Sequence, residues 1–119
     1  MIKLEDIKEK LEKATIAVAT CDKNSNPHNI AIMYAKVSEN KIIITNNFMK
    51  KTIENIKVNN KVSLVFWETE EGWRIDGEAA YYNSGKWLEF IKNLKENNGF
   101  PARGAIVIDI KNICKLCGE

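Results

Sequence analysis

Ten residues from Trp73 to Tyr82 alternate without a slip. Trp73, Ile75, Gly77, Ala79 and Tyr81 fall on one side, and Arg74, Asp76 and Glu78 on the other. A period of two is a strand with one packed and one wet face. Such a strand belongs in an antiparallel sheet rather than in a parallel sheet covered by helices on both faces. The chain must therefore supply partners, and it carries five further segments rich in β-branched or apolar residues: Thr15 to Cys21 (TIAVATC), about His28 to Val37, Ile42 to Thr45, Lys61 to Glu68 (KVSLVFWE) and Ala105 to Ile113 (AIVIDIKNI). Turn clusters punctuate them at Asp22 to Pro27 (DKNSNP), Ser38 to Lys41 and Thr69 to Gly72.

Helical spacing occurs in three places. Leu4, Ile7 and Leu11 make one apolar stripe, and Ile53 and Ile56 a second. Trp87, Leu88, Ile91 and Leu94 make the third, with Ser84 placed to cap it and Asn97 to Pro101 to end it. Six strands joined mostly by turns, with three short helices, predict a mainly β fold. So many apolar strand residues predict a six-stranded antiparallel sheet curled into a barrel with peripheral helices. No Gly-rich GxGxxG or GxxxxGK[ST] loop occurs, so Rossmann and P-loop readings lack support. Without a repeat or linker, residues 1–119 read as a single domain. A formal net charge of +2 is too small to argue for a nucleic-acid partner. No apolar run has transmembrane length, and Ile2 to Lys13 is too charged for a signal peptide. The expectation is a cytoplasmic protein with no membrane partner.

The segment Lys41 to Ile56 (KIIITNNFMKKTIENI) contains an electrostatic conflict. A buried strand ends in Thr45-Asn46-Asn47, and a helix begins at or just after Lys50 and Lys51. Helix N-termini favour negative charge, because free N–H groups and the macrodipole point there. A phosphate docked on those amides resolves the conflict, with Thr52 as a further donor and the lysines as counter-charges. Cys114 and Cys117 have CxxC spacing near the chain end, but two more ligands would be needed for zinc and the only histidine is His28. No metal site is expected, and the pair reads as structural or incidental. Neither a catalytic triad nor a spaced acid pair is present, so no catalytic residue can be named.

The order of strand, turn, Thr45-Asn46, Lys50-Lys51, helix, then Asn60 to Trp67 resembles the pyridoxamine 5′-phosphate oxidase-like family of flavin-binding split barrels. Asn26-Pro27-His28 and Arg74-Ile75-Asp76-Gly77 fall at matching intervals, so the likeness runs from about Thr15 to Ile110. The short single-domain FMN-binding proteins of that superfamily are most similar in length and in Lys51-Thr52. The resemblance implies FMN as cofactor. Lys50, Lys51 and Thr52 match its phosphate-holding positions, Ile44, Thr45 and Asn46 a strand end beside the ring and ribityl chain, and Ile30, Ala31, Ile32 and Met33 a strand lining the isoalloxazine. It further implies a homodimer with two flavins at the subunit interface, where Arg74 lies on a strand facing the partner's flavin.

The chain lacks the C-terminal region with which the named enzyme helps bind pyridoxal phosphate, so oxidation of pyridoxamine phosphate is not expected. What the resemblance implies instead is a flavin-dependent oxidoreductase acting on an unidentified small molecule. An electron carrier serving a redox-protein partner, or an F420-binding homologue, are its alternatives. Among the aromatics, Trp67, Tyr81, Tyr82 and Trp87 read as packing, and Trp73, which starts a strand near a loop, as the exception that reaches the pocket. His28 reads as a surface residue.

Overall fold

A computed structural model describes residues 1–117, and Gly118 and Glu119, the end of the cysteine-bearing tail, lie outside the described residues. The chain runs α1 (Leu4–Lys13), β1 (Ile16–Cys21), β2 (Pro27–Ile32), β3 (Lys36–Ser38), β4 (Lys41–Asn46), α2 (Lys51–Val58), β5 (Lys61–Glu68), β6 (Glu71–Tyr82), α3 (Lys86–Lys92), a short 3₁₀ turn (Lys95–Asn97) and β7 (Gly104–Lys115). All strand pairs are antiparallel in one sheet, ordered β2-β1-β5-β6-β7-β4-β3.

That order puts β2 and β3 on opposite edges, although only Met33, Tyr34 and Ala35 separate them in the chain. Laid flat, six inter-strand spacings would hold the edges about 29 Å apart. The four Cα steps from Ile32 to Lys36 reach at most about 14 Å. The sheet must therefore curl until its edges approach. The result is a split β-barrel with helices around it. Seven strands stand where six were expected, because the segment from His28 to Val37 breaks at this link and its two halves pair at opposite edges, β2 with β1 and β3 with β4.

Two cores follow from the curl. Inside lie Ile16, Val18, Ile42, Ile44, Leu64, Phe66, Ile75, Ile106 and Ile108, closed by Leu4, Ile7 and Leu11 of α1 and by Ile53 and Ile56 of α2. Outside, Ile43 and Val107 pack under Trp87 and Ile91 of α3. Strand β4 is thus covered on both faces, which explains an isoleucine run where an alternating pattern would leave one face wet. Burying each of those side chains is worth roughly 1.5–3 kcal/mol. Helix α3 is shorter than its apolar stripe. It starts after Gly85, whose φ of 82° suits glycine, with no cap from Ser84, and Leu94 lies beyond its end.

Strand β6 keeps its expected alternation, and Trp73 corrects the expectation of a pocket residue. Its ring is 5% exposed and stacks on Phe66 at 5.2 Å between centroids, so it is core. The register of β6 against β7 shifts at Asp76/Gly77. A Cβ on Gly77 would stand 2.5 Å from the Asp109 carbonyl oxygen and 2.7 Å from Ile108 Cγ2. The strands can approach this closely only around glycine. Gly77→Ala should lower unfolding free energy by about 1–3 kcal/mol, as overpacking does, read from the urea midpoint at unchanged m-value.

Candidate cofactor site

Beside the end of β2 lies a cavity of about 720 Å³, within the size range of small-molecule pockets. Its wall is made by the end of β2 and the following link (Ile30, Ala31, Ile32, Met33, Tyr34), by Thr45, by the loop leaving β4 (Asn47, Phe48, Met49), and by Glu96 and Phe100. The wall is largely apolar. Met33, Phe48 and Phe100 are 68%, 66% and 57% exposed, so the apolar surface extends out of the mouth.

Two residues of this wall carry hydroxyls. Tyr34 Oη and Thr45 Oγ1 are buried and have no hydrogen-bond partner among the described residues. A buried polar group without a partner costs about 1–3 kcal/mol, so paired buried groups are the rule. Both belong to residues of one cavity wall, although the oxygens themselves are covered by their surroundings.

The loop from β4 to α2 is held rigidly beside the cavity. Asn46 is 3% exposed and fully committed to the loop: its Nδ2 donates to Tyr81 Oη at 2.9 Å, its Oδ1 accepts from the Met49 N–H at 2.7 Å, and its carbonyl accepts from the Arg103 N–H at 3.0 Å. Asn47 Nδ2 donates to Asn97 Oδ1 at 2.6 Å and to the Pro101 carbonyl at 2.7 Å. Behind the loop, Asn55 Nδ2 donates to Thr20 Oγ1 at 3.0 Å, tying α2 to β1.

Helix α2 begins as the sequence predicts. Lys50 is its N-cap, with no side-chain cap bond, and Lys51 and Thr52 open its first turn. Lys50 and Lys51 are exposed, whereas Thr52 is 2% exposed. Lys51 Nζ stands 4.0 Å from Asp22 Oδ2. Hydrogen bonds from the Asn26 side chain and backbone hold the Asp22 carboxyl below its ordinary range. With Asp22 ionised and Glu54 in the same first turn, the two lysines are balanced by two carboxylates beside the helix start, and Lys50 is the N-cap residue itself.

Of the sequence-predicted site residues, the fold brings Ile30, Ala31, Ile32, Met33 and Thr45 together on the cavity wall. Lys50, Lys51 and Thr52 follow directly on wall residue Met49 but do not line the cavity. Ile44 points into the barrel core at 1% exposure, and the Asn46 carboxamide is occupied by the loop. Tyr34, Asn47, Phe48, Met49, Glu96 and Phe100 carry no motif that marked them in advance. Phe100 and Glu96 come from a stretch legible only as a helix end. His28 is half-buried opposite Thr20 in β2 and does not line the cavity. Cys114 is half-buried near the end of β7 and Cys117 is exposed, both as free thiols.

The sequence matches the pyridoxamine 5′-phosphate oxidase family over residues 4–117, and the chain belongs to that family. A curated relative, an uncharacterized protein of Methanocaldococcus jannaschii, is 30% identical over 118 residues, covering 94% of this chain and 79% of the relative. Among solved structures, HupZ of Group A Streptococcus superposes with a TM-score of 0.87 at 22% identity, covering 99% of this chain and 96% of that one. An FMN-binding protein of Syntrophomonas wolfei subsp. wolfei gives a TM-score of 0.72 at 22% identity, covering 96% and 91%. The same fold recurs in an F420 reductase (TM-score 0.70, 15% identity, covering 89% and 94%) and in HutZ, the heme storage protein of Vibrio cholerae (TM-score 0.71, 16% identity, covering 95% and 94%).

The role of Asn46 as the brace of this loop has a measurable consequence. Asn46→Ala removes both side-chain bonds and leaves the Tyr81 hydroxyl and the Met49 N–H without their partner. It should destabilise the protein by about 1–3 kcal/mol in chemical denaturation, while Tyr81→Phe, which loses one bond, should cost less.

Proposed function

We propose that this chain binds FMN without a covalent link and acts as an oxidoreductase on a small molecule. In this reading the isoalloxazine occupies the cavity and the phosphate docks at the start of α2. The observation that carries it is a largely apolar cavity whose wall ends at Met49, directly before the uncapped start of α2 with Lys50 and Lys51. A flavin has the complementary parts: apolar ring faces for Ile30, Ile32 and Phe48, and a phosphate for the helix start. Bound FMN supplies electron or hydride transfer, which no side chain here can provide.

The chain's own residues have separable tasks. The first N–H groups of α2 have no intrahelical acceptor and are aimed at the anion. Lys50 and Lys51 supply counter-charge, Lys51 while sharing its ammonium with Asp22. Thr52 adds a hydroxyl from within the first turn. Met33, Phe48 and Phe100 exclude water from the ring, and their exposure supports a homodimer in which a second copy covers the mouth. No described helix is long and apolar enough to cross a membrane, and we place the protein in the cytoplasm. The electron partner is a small molecule or a redox protein, and a carrier without a substrate of its own uses the same site.

The visible spectrum of the purified protein is the primary test. Two flavin bands that bleach on reduction support FMN, a single deazaflavin band selects F420, and a colourless protein that takes up neither defeats the proposal. Titration of FMN fluorescence should show the Lys50→Ala/Lys51→Ala variant binding at least about tenfold more weakly, as expected for losing two charge-assisted contacts, with thermal stability unchanged. Equal affinity would remove the lysines from the site.

A further inference from the structure

Among the residues that line the cavity, Glu96 alone carries a charge at neutral pH. A carboxylate in a largely apolar wall is an unusual feature for a pocket reached by a phosphate-bearing cofactor, and the fold fixes it there deliberately. Lys36 donates to Glu96 Oε2 from the first residue of β3, and the two side chains are only 20% and 28% exposed. The Asn47–Asn97 bond of 2.6 Å pins the neighbouring residue to the loop leaving β4. Lys36 itself does not line the cavity. An occupant therefore meets Glu96 as a wall residue and Lys36 only through it.

We propose that Glu96 is a specificity-determining residue that makes the cavity select planar apolar substrates that are neutral or cationic, and reject those bearing a carboxylate, sulfonate or phosphate. The reasoning is electrostatic. A second anion brought against the Glu96 carboxylate is repelled, and its desolvation in an apolar wall is uncompensated. A neutral ring with an N–H or O–H donor meets no such penalty and gains an acceptor. The Lys36 hydrogen bond also holds the Glu96 carboxyl below its ordinary range, so the charge persists at neutral pH. The cofactor's phosphate escapes this filter, because in our reading it docks at the start of α2, outside the cavity wall. The proposal rests on that reading only in taking the cavity as the place where substrate meets cofactor.

The test uses two probes with the same ring system, N-phenyl-1-naphthylamine, which is neutral, and 8-anilinonaphthalene-1-sulfonate, which is anionic. Their fluorescence enhancement is titrated against the full chain before and after saturation with FMN. The wild type should bind the neutral probe at least about tenfold more tightly than the anionic one. Glu96→Gln should erase that preference, since it removes the repulsion and leaves the Lys36 ammonium without its counter-charge behind the wall. Lys36→Gln should widen it. A loss of packing would instead move both probes together. The proposal is overturned if the neutral probe fails to bind, or if the ratio is the same in the wild type and both variants. FMN uptake is scored separately in the same titrations: selectivity without FMN binding sinks the cofactor reading alone, and FMN binding without selectivity sinks the role of Glu96 alone.

Discussion

A three-residue tether governs this molecule. Met33, Tyr34 and Ala35 connect two strands that lie at opposite edges of a seven-stranded sheet, and so short a connection forbids a flat sheet. Curling buries one face around Phe66, Leu64 and Ile75 and leaves the other to α3 and solvent. The tether's own Met33 and Tyr34 form part of the cavity wall, together with the end of β2 and the loop leaving β4.

The loop between β4 and α2 is the second organising element. It must turn from a strand buried on both faces to a helix start within a few residues, and Asn46 makes that turn by bonding to β6 and to its own backbone. Those two bonds fix the orientation of the Asn46 carboxamide. What the loop delivers is position. It sets Phe48 and Met49 on the cavity wall, and the uncapped first turn of α2 follows directly, with Lys50 and Lys51 beside it. The residues that resemble a phosphate site and those that resemble a ring site are therefore adjacent in the fold as well as in the chain.

Legibility in the sequence followed the range of the forces involved. Alternation in β6, the isoleucine run of β4 and the helix start at Lys51 are local patterns, and each appears in the fold where the sequence predicts it. The segment from His28 to Val37 has strand character in both halves, and nothing local reports that they serve different edges. The place of Trp73 near a loop suggests a pocket residue, but its partnership with Phe66 across the sheet decides its burial. Within the candidate site, Ile30 to Met33 and Thr45 were legible through the family resemblance. Glu96, Phe100 and Tyr34 were not, since they reach the cavity through contacts with segments distant in the chain.

By itself the sequence determined the antiparallel, mainly β character of the chain, its three short helices and the place where an anion suits a helix start. These depend on periodicity, propensity and charge within a turn or two of each residue. Only the tertiary structure decided which strands form the edges of the split barrel, that the end of β2 and the loop leaving β4 share a cavity, and that Tyr34, Phe100 and the ion-paired Glu96 belong to its wall. Those outcomes depend on which strands become neighbours, a choice set by the length of the tether and the packing of both faces at once.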